Sequence, residues 1–118
     1  MKDEKNSSTP PVPLTLEGSY ILHQMFRVRW AAWKKLGDAA RKAAVEEAAG
    51  LLGAMEQSKE EPSALFSMLG HKGDLLAIHF RRGLEALNAS ELGVQNLALA
   101  EFLEPTTSYL SEIGRAHV

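Results

Sequence analysis

The chain has 118 residues, of which 45% are hydrophobic and 24% charged, with a formal net charge of −2 at pH 7. That is enough for one domain with a modest core, in the ordinary composition range of a globular protein. The near-balanced charge gives no basic field for nucleic acid, and the lack of any cysteine excludes disulfides and thiolate chemistry. No apolar run approaches the roughly 20 residues that span a bilayer, and MKDEKNSSTPPVP lacks the apolar region of a secretory signal. A cytoplasmic location is expected.

Residues 1–13 are polar and proline-rich and read as a disordered lead-in. After Gly18 and Ser19, the aromatic and branched residues of Tyr20 to Val28 predict a strand. Tyr20, Leu22 and Phe26 would face one way and Ile21 and Met25 the other, so both faces carry large apolar groups.

The next segment, RWAAWKKLGDAARKAAVEEAAGLLGAMEQ, has helical periodicity. Gly37-Asp38 predicts a break, with Asp38 capping a new start. Ala40, Ala44, Ala48, Leu51, Leu52 and Met55 then form an apolar stripe, and Pro62 ends the segment. SALFSMLGHKGDLLAIHF predicts a hairpin: Leu65 to Leu69, a turn over Gly70 to Asp74, and Leu75 to Phe80. Leu76, Ile78 and Phe80 would line one face of the second arm, and Leu75, Ala77 and His79 the other. A second helical segment puts Leu84, Leu87, Val94 and Ala98 on one side, with Glu91 intruding. Pro105 is expected to close it, and TTSYLS to begin a fourth strand.

The order β-α-β-β-α-β is that of the ferredoxin-like split βαβ unit, an α+β arrangement with both helices on one sheet face. The second apolar sheet face then needs cover of its own, a partner sheet, so the unit reads as half of something larger.

Each candidate for chemistry has a plainer reading. GHKGD has glycines and a lysine but neither P-loop spacing nor a following helix, and a hairpin turn accounts for it. His23, His71, His79 and His117 share no metal-ligand spacing, so no metal site is expected. Arg27 and Arg29 beside Trp30 and Trp33 could stack on a planar ligand or grip carboxylates. The reading adopted is a strand-to-helix corner with the tryptophans in the core and the arginines at the rim. Arg81-Arg82 is read as a solvated turn. No nucleophile–base pair stands out.

Taken together, TLEGSYILHQMFRVRWAAW, SALFSMLGHKGDLLAIHF, LEALN and FLEPTTSYLS resemble the chlorite dismutase-like family, and most closely its coproheme decarboxylase branch. The resemblance covers Thr15 to Ser111 and rests on Leu22-His23, Phe26-Arg27, Trp30 with Trp33, Gly70 through Leu75, and Ser108-Tyr109. It implies two ferredoxin-like halves per chain, packed sheet to sheet as a dimeric α/β barrel, in subunits that assemble as a homo-oligomer, typically a pentamer. This sequence resembles the first half, residues 14–111. The family's iron-binding histidine and catalytic tyrosine belong to the second half, so no catalytic, cofactor-binding or metal residue is carried onto this chain. His23, His71 and His79 match first-half motif positions, not the heme ligand.

The implied cofactor and substrate of the parent is heme or iron-coproporphyrin III, and no tight heme binding is expected of this chain alone. The implied reaction is peroxide-dependent removal of two propionate carboxyls. Chlorite decomposition or peroxidase activity is the alternative within the family. A non-enzymatic dimeric α/β-barrel binding module is the alternative outside it.

The chain ends SYLSEIGRAHV, where the family's strand would continue through a pair of valines and a glutamate. Residues 112–118 are what GAG ATC GGA AGA GCA CAC GTC would encode, a string that after its first base matches a common sequencing adapter. They are expected to be a non-native tail; the alternative is a natural C-terminus.

Overall fold

The computed structural model describes residues 18–70 and 73–114. The lead-in over 1–13, His71, Lys72, Arg115 and His117 lie outside the described residues.

The elements run β1 (Tyr20–Val28), α1 (Trp30–Lys35), α2 (Asp38–Gln57), β2 (Ser63–Ser67), β3 (Leu75–Arg81), α3 (Leu84–Gln95), a short 3-10 helix (Ala98–Phe102) and β4 (Leu103–Glu112). The strands form one four-stranded sheet in the order β2-β3-β1-β4. β1 pairs antiparallel with both β3 and β4, and β2 pairs antiparallel with β3. β1 and β2 therefore run parallel with β3 between them, which is the split βαβ topology expected of an α+β ferredoxin-like unit.

Pairing partners share a sheet face. Gln24 and Phe26 of β1 thus lie beside Ala77 and Leu75 of β3, with Leu103 near the start of β4 on the same side. This side holds the core: Phe26, Ala77, Val94 and Leu103 are buried together, with Val28, Leu52, Leu75 and Leu99 packed against them. α2 contributes the buried alanines Ala44 and Ala48. Their small side chains let a 20-residue helix lie close to the sheet. α3 contributes Leu87, Ser90 and Val94.

Several local expectations are corrected. Asp38 does not cap α2: Gly37 occupies that position without a side-chain bond, and the Asp38 carboxylate instead pairs with Arg41 one turn along. Ala40 and Leu84 are exposed, and Ala98 opens the 3-10 helix rather than extending α3. β2 lies two residues earlier than Leu65 to Leu69, and Leu69 is wholly exposed. Pro105 lies inside β4, opposite Phe26 at a β-bulge. An edge strand tolerates proline there, because the missing N–H is not needed by a neighbour. Of the expected tail, Glu112 ends β4, and Ile113 exchanges backbone hydrogen bonds with Gly18 and Ser19 at 2.9 and 2.8 Å.

Gly73 closes the β2–β3 connection against β1. A Cβ there would lie 2.8 Å from the Phe26 carbonyl oxygen. That oxygen is held in place by the Asp74 N–H at 2.6 Å. Gly73→Ala is expected to cost about 1–3 kcal/mol and to lower the Tm by roughly 4–20 °C. A thermal melt followed by circular dichroism checks it.

Candidate functional site

The sheet face opposite the helices carries Ile21, His23 and Met25 from β1, Leu76, Ile78 and Phe80 from β3, Ala64 and Phe66 from β2, and Tyr109 from β4. None of these side chains is fully buried, and Phe66 and Tyr109 are about half exposed, at 51% and 49%. No described element covers this face. A contiguous apolar surface in the middle of a sheet marks a packing interface. Its centre is His23, flanked by Ile78 on β3 and Tyr109 on β4. The His23 and Tyr109 rings meet edge to face, with centroids 6.3 Å apart at 75°. The His23 Nδ1 is out of solvent and has no partner among the described residues. A covering surface with a donor or acceptor over this atom would remove that cost.

The covered side of β3 holds a polar cluster that spacing alone does not reveal. His79 is fully buried, and its Nδ1 lies 2.6 Å from the Ser63 hydroxyl on β2. Arg81 donates to the same hydroxyl at 2.9 Å and to the carbonyls of Pro62 and Phe80 at 3.0 and 2.8 Å. Arg81 is therefore buried and structural, not part of a solvated turn; Arg82 next to it is exposed. Burial, and then the Arg81 charge, lower the His79 pKa from 6.5 to about 4. Burial also lowers the Arg81 pKa, while the Glu61 carboxylate opposes the shift. Nearby in the core, the Gln24 amide N–H donates to Glu91 at 3.2 Å, which explains how a carboxylate intrudes on the apolar side of α3.

His79 does not fit the role of a heme ligand. Its Nδ1 is committed to Ser63, its other nitrogen is enclosed without a partner among the described residues, and a guanidinium stands beside it. Among the described residues no group of three His, Asp or Glu side chains is placed to hold a metal ion.

At the β1–α1 corner, Arg29 donates to the Glu101 and Leu103 carbonyls at 3.0 and 3.3 Å, a structural clasp at the rim. The tryptophans are not in the core as expected. Trp30 is half exposed, and Trp33 packs on Phe102 at the surface of the 3-10 helix. The short α1 has no buried residue because it sits beyond the end of the sheet. Among the described residues, no helix is long and apolar enough to cross a membrane.

Residues 41–117 match the family model described as Chlorite dismutase. The chain belongs to the chlorite dismutase family. A protein of Natronomonas pharaonis named "Putative heme-binding protein" is 40% identical over 102 residues, which cover 84% of this chain and 17% of that protein. One of the same description from Halobacterium salinarum is 36% identical over 104 residues, covering 86% and 21%. Among solved structures, a novel heme-binding protein from Thermus thermophilus is 31% identical with a TM-score of 0.75, covering 80% of this chain and 40% of that one. The chlorite dismutase from Candidatus Nitrospira defluvii in complex with imidazole superposes with a TM-score of 0.74 at 16% identity, covering 86% and 42%. That last likeness is one of fold. This family member spans about a fifth of the curated relatives it matches and two fifths of the solved chains.

Proposed function

We propose that residues 14–111 are the N-terminal ferredoxin-like half of a heme-dependent oxidoreductase. Its open sheet face packs against a second such half supplied by the remainder of the parent protein. The observation that carries this is the uncovered apolar face centred on His23 and Ile78, in a family whose solved chains are more than twice as long as the matched region. In the parent, the iron ligand comes from the second half, and this half supplies the opposing wall and contacts in a homo-oligomer, a pentamer in the resemblance.

Within the family, the finer reading is coproheme decarboxylation. What supports it over chlorite decomposition is the resemblance of the sequence to that branch at Leu22-His23, Phe26-Arg27, Trp30 with Trp33, Gly70 through Leu75, and Ser108-Tyr109. Each side chain, counted as the propionic acid, would lose carbon dioxide, two protons and two electrons to become a vinyl group, and one hydrogen peroxide would take up those protons and electrons to give two waters. The bound iron porphyrin supplies the redox chemistry, and the contribution of this chain is to shape and close the barrel.

The test uses the longer reading frame from the source DNA. Its product, loaded with iron-coproporphyrin III and given peroxide, is expected to yield heme b by chromatography and mass analysis, with the loss of two carboxyl groups. Oxygen release from chlorite without decarboxylation would replace this reading with the chlorite dismutase one. A stop codon directly after Val118 in the source DNA would overturn the two-half reading.

A further inference from the structure

A cavity of about 410 Å³ lies where β1 passes into α1, on the helix-bearing side of the sheet and away from the open face. It falls within the range of small-molecule sites and has their usual makeup of apolar walls and few polar groups. Trp30 and Trp33, three residues apart on α1, both line it, with Met68 and Leu99. Trp33 is held by its edge-to-face contact with Phe102, centroids 5.3 Å apart. Trp30 leaves 51% of its surface exposed.

Among the described residues that line the cavity, Asp74 is the single charged side chain. Its carboxylate accepts the Val28 N–H at 2.8 Å. Its backbone is tied on both sides, by its N–H to Phe26 and by its carbonyl to the Met68 N–H at 2.8 Å. The carboxylate is thus fixed in place before any ligand arrives. The neighbouring Arg29 guanidinium is engaged with the Glu101 and Leu103 carbonyls and does not line the cavity.

We propose that this corner binds a small organic cation, an ammonium group carried on an apolar body. Aromatic rings attract a cation through their quadrupoles, indole is the best side chain for it, and two of them line this cavity. The Asp74 carboxylate adds a formal countercharge, while Met68 and Leu99 accept the apolar body. The same carboxylate disfavours anions. The site is independent of the heme reading, because it lies on the other side of the sheet.

Both tryptophans of the chain line the cavity, so intrinsic tryptophan fluorescence reports on this site alone. The probes are 2-phenylethylammonium and its uncharged analogue 2-phenylethanol, titrated into the 118-residue chain. The ammonium is expected to give a saturable change with an affinity about tenfold or more above that of the alcohol. Asp74→Asn keeps an oxygen for the Val28 N–H and is expected to abolish the preference. Trp30→Ala, at a half-exposed ring, is expected to weaken the ammonium about tenfold with an unchanged circular dichroism spectrum, Trp33 remaining as reporter. Should Asp74→Asn lose its fold, Trp30→Ala decides. Equal affinities for the two probes, no saturable change, or a preference that survives a folded Asp74→Asn would overturn the proposal.

Discussion

Ile78→Lys should turn the 118-residue chain from a self-associating species into a monomer while leaving its far-ultraviolet circular dichroism unchanged. Ile78 stands in the middle of the open face, paired with His23 on one side and Ala64 on the other. Its side chain points away from the core, so folding does not need it. Two copies that cover this face with each other would form a two-fold contact in which every substitution counts twice. Burial of an isoleucine side chain contributes about 1.5–3 kcal/mol. The double loss is therefore about 3–6 kcal/mol, a hundredfold or more in the dissociation constant. Light scattering across a concentration series measures it. A wild-type chain already monomeric at the highest concentration would show that the face does not pair with its own copy.

Acid should destabilise the fold through His79 well before most carboxylates titrate. The folded-state pKa, lowered from 6.5 to about 4, lies below that of the unfolded chain. Between these values the unfolded state binds the extra proton, so stability falls as the pH falls. The loss is fully developed near pH 4 and absent above about pH 6.5. Its slope is at most about 1.4 kcal/mol per pH unit, for a total of about 3 kcal/mol. Urea melts at a series of pH values check this. His79→Phe, which leaves the Arg81–Ser63 hydrogen bond in place, should flatten the profile across that window. A profile as steep in the variant as in the wild type would assign the acid sensitivity to other groups.

What can be read in advance and what cannot divides along the range of the interactions. β1 is legible to the residue, Tyr20–Val28, because its alternation and its Gly18-Ser19 punctuation are local signals. β2 is misplaced by two residues because the apolar letters of Leu65 to Leu69 outweigh Ser63. Ser63 is drawn into the sheet by partners 16 and 18 residues away, the His79 ring and the Arg81 guanidinium. The Phe80 N–H bonding the Pro62 carbonyl at 2.9 Å sets the same register. No window of neighbouring residues contains that information.

Side-chain roles divide the same way. Alternation puts His79 opposite Ile78 on β3, but whether that face is wet or dry depends on where α2 and α3 lie. Arg81-Arg82 looks like two solvated charges in sequence; the fold buries the first and exposes the second. Trp30 and Trp33 share a side of a helix by spacing, yet α1 extends past the sheet, so the shared side borders a cavity instead of entering the core.

By itself, then, the sequence determined the order of elements, the apolar character of both sheet faces and the lack of a metal-ligand spacing, because these follow from periodicity, composition and turn residues within short windows. Only the tertiary structure decided which face the helices cover, which histidine is sealed from water and which charges are paired. Those outcomes come from contacts between residues far apart in the chain, and their energies exist only once the sheet has closed.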